Sequence, residues 1–176
     1  MRGVDRARLL VVHHTPSPAV RELLEAIVAG AGEPELAEVA VHVEPALSAT
    51  ASDVLAADAV VLLTPANIGY MSGAVKHFFD TIYYPCLDAT QGLPWGLVVH
   101  GNDDTSGAIR SVEKIAGALR WRQVAPVVSV VAPPTRSHVE AARELGSLVA
   151  FAGLESSQTP DDPASDDPAS GATGGR

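Results

Sequence analysis

Residues 57–73 read ADAVVLLTPANIGYMSG, and this stretch decides the fold. Its first half, from Ala59 to Leu63, is apolar without interruption, which is typical of a strand buried on both faces of a sheet. Pro65 and Gly69 then mark a turn, and Met71 begins a segment with apolar residues at helical spacing. The stretch therefore predicts a buried strand, a turn and a helix, in that order.

The same alternation of strand and helix continues on both sides of this stretch. Short apolar runs predict four more strands, at Leu9–Val12, Ala37–Val43, Trp95–His100 and Val127–Val131. Helical spacing predicts helices at residues 18–28, 71–82, 109–119 and 139–151, whereas residues 48–57 allow only one or two helical turns. Such alternation predicts an α/β fold with a parallel sheet and right-handed crossovers.

The composition excludes several classes of protein. The net charge is −9 and the Lys and Arg residues are scattered, which argues against a nucleic-acid-binding face. Cys86 is the only cysteine, so no internal disulfide can form, and no Cys/His spacing suggests a metal site. Neither a membrane-length apolar run nor a signal-peptide pattern is present. We therefore expect a cytoplasmic protein with no membrane or nucleic-acid partner.

The C-terminal segment differs in composition from the rest of the chain. The sequence DDPAS occurs twice, at residues 161–165 and 166–170, and a Gly-rich end follows. Such a segment buries too little apolar surface to offset the entropy lost on ordering. We expect one domain over residues 1–154 and a disordered acidic Pro/Ser/Gly-rich tail over residues 155–176.

The first candidate binding loop follows the first strand. Residues 13–18 read HHTPSP and lead into a helix whose N-terminus presents free N–H groups and a positive dipole end, which attract a phosphate. The hydroxyls of Thr15 and Ser17 add donors. The two prolines cannot donate, so the backbone N–H groups must come from Ser17, Ala19 and Val20. The alternative is ordinary capping of the helix by Ser17.

Two more candidate loops follow the third and fourth strands. In residues 65–73, Pro65 and Gly69 would let backbone approach a planar ligand, while Asn67 offers a donor and an acceptor and Ile68 a flat apolar contact. Residues 100–107 read HGNDDTSG, in which the histidine and asparagine offer polar edges. Each loop can also be an ordinary turn that caps the next helix. Ligands of open α/β sheets bind at these carboxyl ends, near the point where strand order reverses.

The stretch from Ala57 to Gly69, with Met71-Ser72-Gly73, Lys76, Phe79 and Asp80, resembles the flavodoxin-like FMN proteins. It is most similar to their NAD(P)H-dependent FMN reductases and quinone reductases of the tryptophan-repressor-binding-protein type. The resemblance implies a flavodoxin-like, doubly wound sheet of five parallel strands in the order 2-1-3-4-5, with helices on both faces. It also implies bound FMN, with residues 14–20 around its phosphate, 65–70 along its ring and 100–102 at the pyrimidine edge. The cofactor-binding candidates are His14, Thr15, Ser17, Ala19, Val20, Pro65, Ala66, Asn67, Ile68, Gly69, Tyr70, His100, Gly101 and Asn102.

Two functions are compatible with these features. The first is an FMN-dependent oxidoreductase that takes reducing equivalents from NAD(P)H and passes them to a quinone or similar small acceptor. The flavin would carry the chemistry, so no catalytic side chain is expected. The second is an FMN-binding electron-transfer protein that serves a redox partner protein without its own turnover. A receiver domain is excluded, because His13-His14 and Thr64 stand where it needs acidic residues. Tyr83 and Tyr84 are expected either to cover the flavin site or to pack at the interface of a homo-oligomer.

Overall fold

The computed structural model describes residues 6–158, which form one α/β unit. The strands within these residues are β1 (Ala7–His13), β2 (Val39–Pro45), β3 (Ala59–Asn67), β4 (Tyr70–Met71), β5 (Pro94–Gly101), β6 (Arg122–Gln123) and β7 (Val128–Val131). The helices are α1 (Pro18–Ala31), α2 (Ala51–Leu55), α3 (Gly73–Cys86), α4 (Ser106–Ala118) and α5 (Arg136–Gln158), with a short 3-10 helix at Pro34–Leu36. None of these helices combines the length and the hydropathy needed to cross a membrane.

The five predicted strands are present and form a parallel sheet in the predicted order. The strand order is β2-β1-β3-β5-β7 for these five, since β7 pairs with the second half of β5. Two short strands were not predicted. The first, β4, pairs antiparallel with the end of β3, and the second, β6, pairs with the start of β5. Pro126 lies between β6 and β7, and a proline cannot donate to a strand ladder, so the edge of the sheet is interrupted there.

Helices cover both faces of the sheet. The alternating side chains of the central strands divide between two apolar layers, with Val60 and Leu62 of β3 on one face and Val61 and Leu63 on the other. Helices α1 and α5 pack on the second layer, and α2, α3 and α4 pack on the first. The whole of β3 from Ala59 to Pro65 is buried, as its apolar sequence predicts.

The last helix continues past the expected end of the domain. Helix α5 ends at Gln158, whereas the sequence suggested that ordered structure ends at residue 154. Two serines of its last turns donate to backbone carbonyls of the same helix, Ser156 to Ala152 at 2.9 Å and Ser157 to Leu154 at 2.8 Å. These local bonds extend the helix beyond its apolar pattern. The rest of the expected tail, residues 159–176, lies outside the described residues.

Candidate functional site

The point where strand order reverses lies between β1 and β3. The chain leaves β1 for β2 on one side and returns to β3 on the other side of β1, so the loops after β1 and β3 diverge from adjacent strand ends. Backbone pairing places His13 beside Leu63, and Pro65 beside His100 of β5. The N–H of His14 donates to the carbonyl of Leu63 at 3.0 Å. All three candidate loops therefore begin at one edge of the sheet.

The first loop presents unused donors at the start of α1. Ser17 is the N-cap residue, and its Oγ accepts a hydrogen bond from the N–H of Val20 at 3.4 Å. Among the described residues, the N–H groups of Thr15, Ser17 and Ala19 make no backbone hydrogen bond. Val20, by contrast, has its N–H engaged and its side chain buried in the core. The loop therefore has the donor set of an anion site, in which the N–H of Thr15 is available and that of Val20, which the sequence suggested, is not.

Two histidines flank these donors. The imidazole Nδ1 of His13 lies 2.8 Å from the Thr15 Oγ1, so the two side chains share a hydrogen bond. Burial lowers the pKa of His13, and electrostatic interactions with His14 and Arg21 lower it further against the opposing effect of Glu44. The Nδ1 atom of His14 is buried and has no hydrogen-bond partner within residues 6–158. An orphaned buried nitrogen beside a helix N-terminus fits a loop whose bonding is completed by a ligand.

The second loop is a hairpin rather than an open loop. Strand β3 extends through Asn67, which pairs with Tyr70, and only Ile68 and Gly69 form the turn. Their φ angles are 52° and 71°, as in a type I′ turn. A β-branched residue is rarely found at positive φ, and Ile68 also exposes its entire side chain to solvent. Residues held in such conformations are concentrated at ligand-binding sites.

The hairpin is fixed by contacts with α3 and α4. The N–H of Ser72 donates to Thr64 Oγ1 at 3.0 Å, and the N–H of Met71 donates to Ser111 Oγ at 3.3 Å. Gly107, in the first turn of α4, touches the turn so closely that a Cβ there would lie 1.9 Å from the carbonyl oxygen of Gly69. Because the two contacts with α4 join residues far apart in the sequence, periodicity gave no signal for them. They hold the turn at a fixed place on the rim of the sheet.

The third loop is organised by internal hydrogen bonds. His100 is buried, and its Nε2 donates to the carbonyl of Ala132 at 3.0 Å. Thr105 Oγ1 bonds to Ser129 Oγ at 2.6 Å, so Thr105 does not cap α4 through its side chain. Instead, the carboxylate of Asp104 accepts bonds from the N–H and Oγ of Ser106, and these bonds lower the pKa of Asp104. His100 therefore orders the loop, while Asn102 is exposed at the edge.

The candidate residues thus divide into buried and accessible groups. Val20, Pro65, His100 and Gly101 are buried, His14, Thr15, Ser17, Ala19 and Ala66 are partly buried, and Asn67, Ile68, Gly69, Tyr70 and Asn102 are exposed. The accessible groups lie on all three loops. The strand order therefore brings to one edge of the sheet candidate residues that are far apart in the sequence. In the described part of the chain, no group of three His, Cys, Asp or Glu side chains could hold a metal ion.

Comparison with solved structures gives the fold a name. No protein-family model and no curated protein matches the sequence. A flavodoxin from the domain Archaea superposes with a TM-score of 0.71 at 18% identity, over 83% of this chain and 98% of that one. The fold is that of flavodoxin. A WrbA-like flavodoxin from Agrobacterium tumefaciens has a TM-score of 0.67 at 20% identity, over 85% of this chain and 98% of that one. Rubredoxin oxygen:oxidoreductase from Desulfovibrio gigas has a TM-score of 0.72 at 11% identity. The superposition covers 88% of this chain but only 38% of that longer chain.

Proposed function

We propose that this chain binds FMN at the carboxyl ends of β1, β3 and β5. The observation that carries the proposal is the Ile68-Gly69 turn, in which a fully exposed, β-branched side chain is held at positive φ at the same edge of the sheet as the unused donors of α1. Neither feature improves the stability of the free protein, and a ligand that contacts both explains why they occur together. The fold of flavodoxins and the resemblance of residues 57–80 to FMN reductases support the choice of FMN.

The phosphate of FMN would be held at the start of α1. Its partners are the hydroxyls of Thr15 and Ser17, the N–H groups of Ser17 and Ala19, and the dipole of the helix. The Ser17 oxygen accepts from Val20, which leaves its O–H free to donate to the phosphate. The orphaned His14 nitrogen adds one more polar group to this end of the site. One helix terminus of this kind suits one phosphate, which favours FMN over FAD.

The isoalloxazine ring would lie along the hairpin. Ile68 offers an apolar surface and Asn67 a donor and an acceptor, and both are exposed. Asn102 and the backbone at Gly101 would meet the pyrimidine edge. The third loop carries no tryptophan or tyrosine between residues 100 and 107 that could stack on the ring, so one face of the ring would remain open to a second molecule.

We further propose that the protein is an NAD(P)H-dependent FMN oxidoreductase whose acceptor is a quinone or a similar small molecule. Bound FMN supplies hydride and electron transfer, and the protein positions the ring and leaves it accessible. The open ring face and the likeness to a WrbA-like flavodoxin support this choice. An electron-transfer protein without its own turnover is the second candidate, which the likeness to an archaeal flavodoxin supports.

The first experiment identifies the flavin. The purified protein, reconstituted separately with FMN, FAD and riboflavin, is washed by gel filtration, and the flavin released by heat is identified by chromatography. We expect FMN to be retained, and riboflavin to bind more weakly because it lacks the phosphate. Retention of FAD in preference to FMN, or no retention of any flavin, would contradict the proposed binding.

The second experiment separates the two activities. NADH and NADPH are added without oxygen to the FMN-loaded protein, and the visible flavin absorption is followed before and after addition of menadione. If the protein is an oxidoreductase, the flavin absorption disappears after addition of NADH or NADPH and returns after addition of menadione. If only a chemical reductant bleaches the flavin, the protein is an electron carrier and the oxidoreductase proposal is wrong.

A further inference from the structure

A cleft adjoins the hairpin on the side of α3 and α4. It has a volume of about 380 Å³ and lies between the two helices, with Tyr70 of the hairpin at one end. Clefts that hold small ligands have volumes of about 300–1,000 Å³. The cleft is therefore large enough for one fused-ring aromatic molecule.

The floor of this cleft is apolar and aromatic. Phe79 is almost fully buried beneath it, and Ile115 lines the α4 wall. Tyr83 is partly buried in the α3 wall, where its ring makes an edge-to-face contact with Tyr84 at 5.3 Å between centroids. A flat apolar ligand is favoured here, because aromatic side chains bind rings by offset or edge contacts.

The rim of the cleft is cationic, although the chain as a whole has a net charge of −9. Two lysines, Lys76 and Lys114, and one acid, Asp80, line it. Lys76 is paired with Asp80 one helical turn away. Lys114, on the opposite wall, is exposed and makes no ion pair within residues 6–158. The cleft therefore combines an aromatic floor with one uncompensated positive charge.

The cleft is also connected to the proposed ring site. Tyr70 belongs to the hairpin that would carry the flavin ring and is 44% exposed where it lines the cleft. Ser111, on the cleft wall, accepts the hydrogen bond from the N–H of Met71, the next residue of β4. A molecule in the cleft would thus lie against the same hairpin as the flavin, two residues from the Ile68 tip.

We propose that the cleft between α3 and α4 binds a planar aromatic anion, with its ring against Tyr83 and Ile115, above the buried Phe79, and its negative group at Lys114. Its use as the electron acceptor rests on the proposed function, whereas the binding itself does not. The chemical class is a fused-ring molecule carrying a sulfonate or carboxylate. This class narrows the acceptor from any quinone to an acidic one.

The test uses two probes with one ring system. Naphthalene-2-sulfonate carries the negative charge, and 2-naphthol is its uncharged counterpart at pH 7. Each is titrated calorimetrically into the full-length protein, with and without FMN. We expect the sulfonate to bind more tightly than 2-naphthol. Lys114→Ala should weaken binding of the sulfonate about two- to five-fold, as for other exposed charge pairs, and leave binding of 2-naphthol unchanged.

Two further variants make the result specific. Arg110→Ala removes an exposed cation one turn earlier on α4 that does not line the cleft, and it should leave both affinities unchanged. Tyr83→Leu should weaken both probes alike, about three-fold, because it removes the aromatic contact and keeps the charge. Circular dichroism checks that each variant is folded.

Equal affinity for the two probes, or an equal effect of Arg110→Ala and Lys114→Ala, would overturn the inference, as would the absence of binding. These outcomes differ from failure of the proposed function. A protein that retains no flavin but binds the sulfonate through Lys114 keeps the cleft and loses the FMN site. A protein that retains FMN but binds neither probe keeps the FMN site and has no ligand site in the cleft.

Discussion

Replacement of Ile68 by glycine is the sharpest test of the proposed flavin site, because stability and affinity should change in opposite directions. In the free protein, the Ile68 side chain is fully exposed, and its backbone lies at a φ of 52°. It contributes almost no packing and carries the cost of the left-handed conformation. Bound FMN would reverse that balance, since the exposed side chain would then contact the ring.

The two magnitudes follow from this geometry. A left-handed conformation costs a residue with a Cβ about 1–2 kcal/mol, and the freedom that glycine gains in the unfolded chain offsets about 0.5–1 kcal/mol of that relief. Ile68→Gly should therefore stabilise the free protein by about 0.5–1 kcal/mol. Complete burial of an isoleucine side chain contributes about 1.5–3 kcal/mol, so burial of half of it against a ring contributes about 1 kcal/mol. The dissociation constant for FMN should accordingly rise about five-fold.

Arg120→Gly is the matched control. Arg120 follows α4 with a φ of 58° and an exposed side chain, and its N–H caps the helix by donating to Gly117. Glycine should stabilise this position by a similar amount, without any change in FMN affinity. Urea unfolding of the flavin-free proteins and fluorescence titration with FMN measure both effects. If Ile68→Gly leaves FMN affinity within about two-fold of the original, the side chain does not contact the ring. If it destabilises the free protein, the argument from backbone strain is refuted.

Three more predictions concern the loop, the hairpin contact and pH. Ser17→Ala should weaken FMN binding about ten- to a hundred-fold, since a hydrogen bond to a charged group contributes about 1.5–3 kcal/mol. The control is Thr50→Ala, which removes the N-cap of α2. It should lower the stability by about 1 kcal/mol and leave the FMN affinity, measured by calorimetry, unchanged. Equal affinities of these two variants would show that Ser17 is only a cap. Gly107→Ala should destabilise the protein by at least about 1–3 kcal/mol in thermal unfolding, because the added methyl overlaps the hairpin, whereas Gly117→Ala on the same helix enters open space and should stabilise it by about 0.5–1 kcal/mol. The pKa of His13 lies below its ordinary value of 6.5 in the folded protein, so the unfolded chain binds more protons and the free energy of unfolding should fall as the pH is lowered through 6.5. His13→Asn should remove that part of the decline, and an unchanged pH profile would contradict this assignment.

The sheet could be predicted from the sequence because a strand that is buried on both faces has a continuous apolar sequence. Every residue of β3 from Ala59 to Pro65 is buried, and the apolar run in the sequence is the direct consequence. The hairpin has no comparable pattern in its sequence. A two-residue turn of this type is normally recognised by Asn-Gly or Asp-Gly, and here isoleucine precedes the glycine. Its contacts with Ser111 and Gly107 come from a helix some 40 residues away, so only the folded chain shows why the turn is held.

The two prolines of the first loop increase the dependence of phosphate binding on side chains. Because Pro16 and Pro18 remove backbone donors, and Val20 gives its N–H to Ser17, the side-chain hydroxyls must supply part of the bonding at the start of α1. Backbone donors survive any substitution that preserves the fold, whereas a hydroxyl is lost with a single replacement. Thr15, one of those hydroxyls, also shares its hydrogen bond with a titratable imidazole. Flavin affinity in this protein should therefore depend more strongly on individual residues and on pH than in a loop that binds phosphate through its main chain.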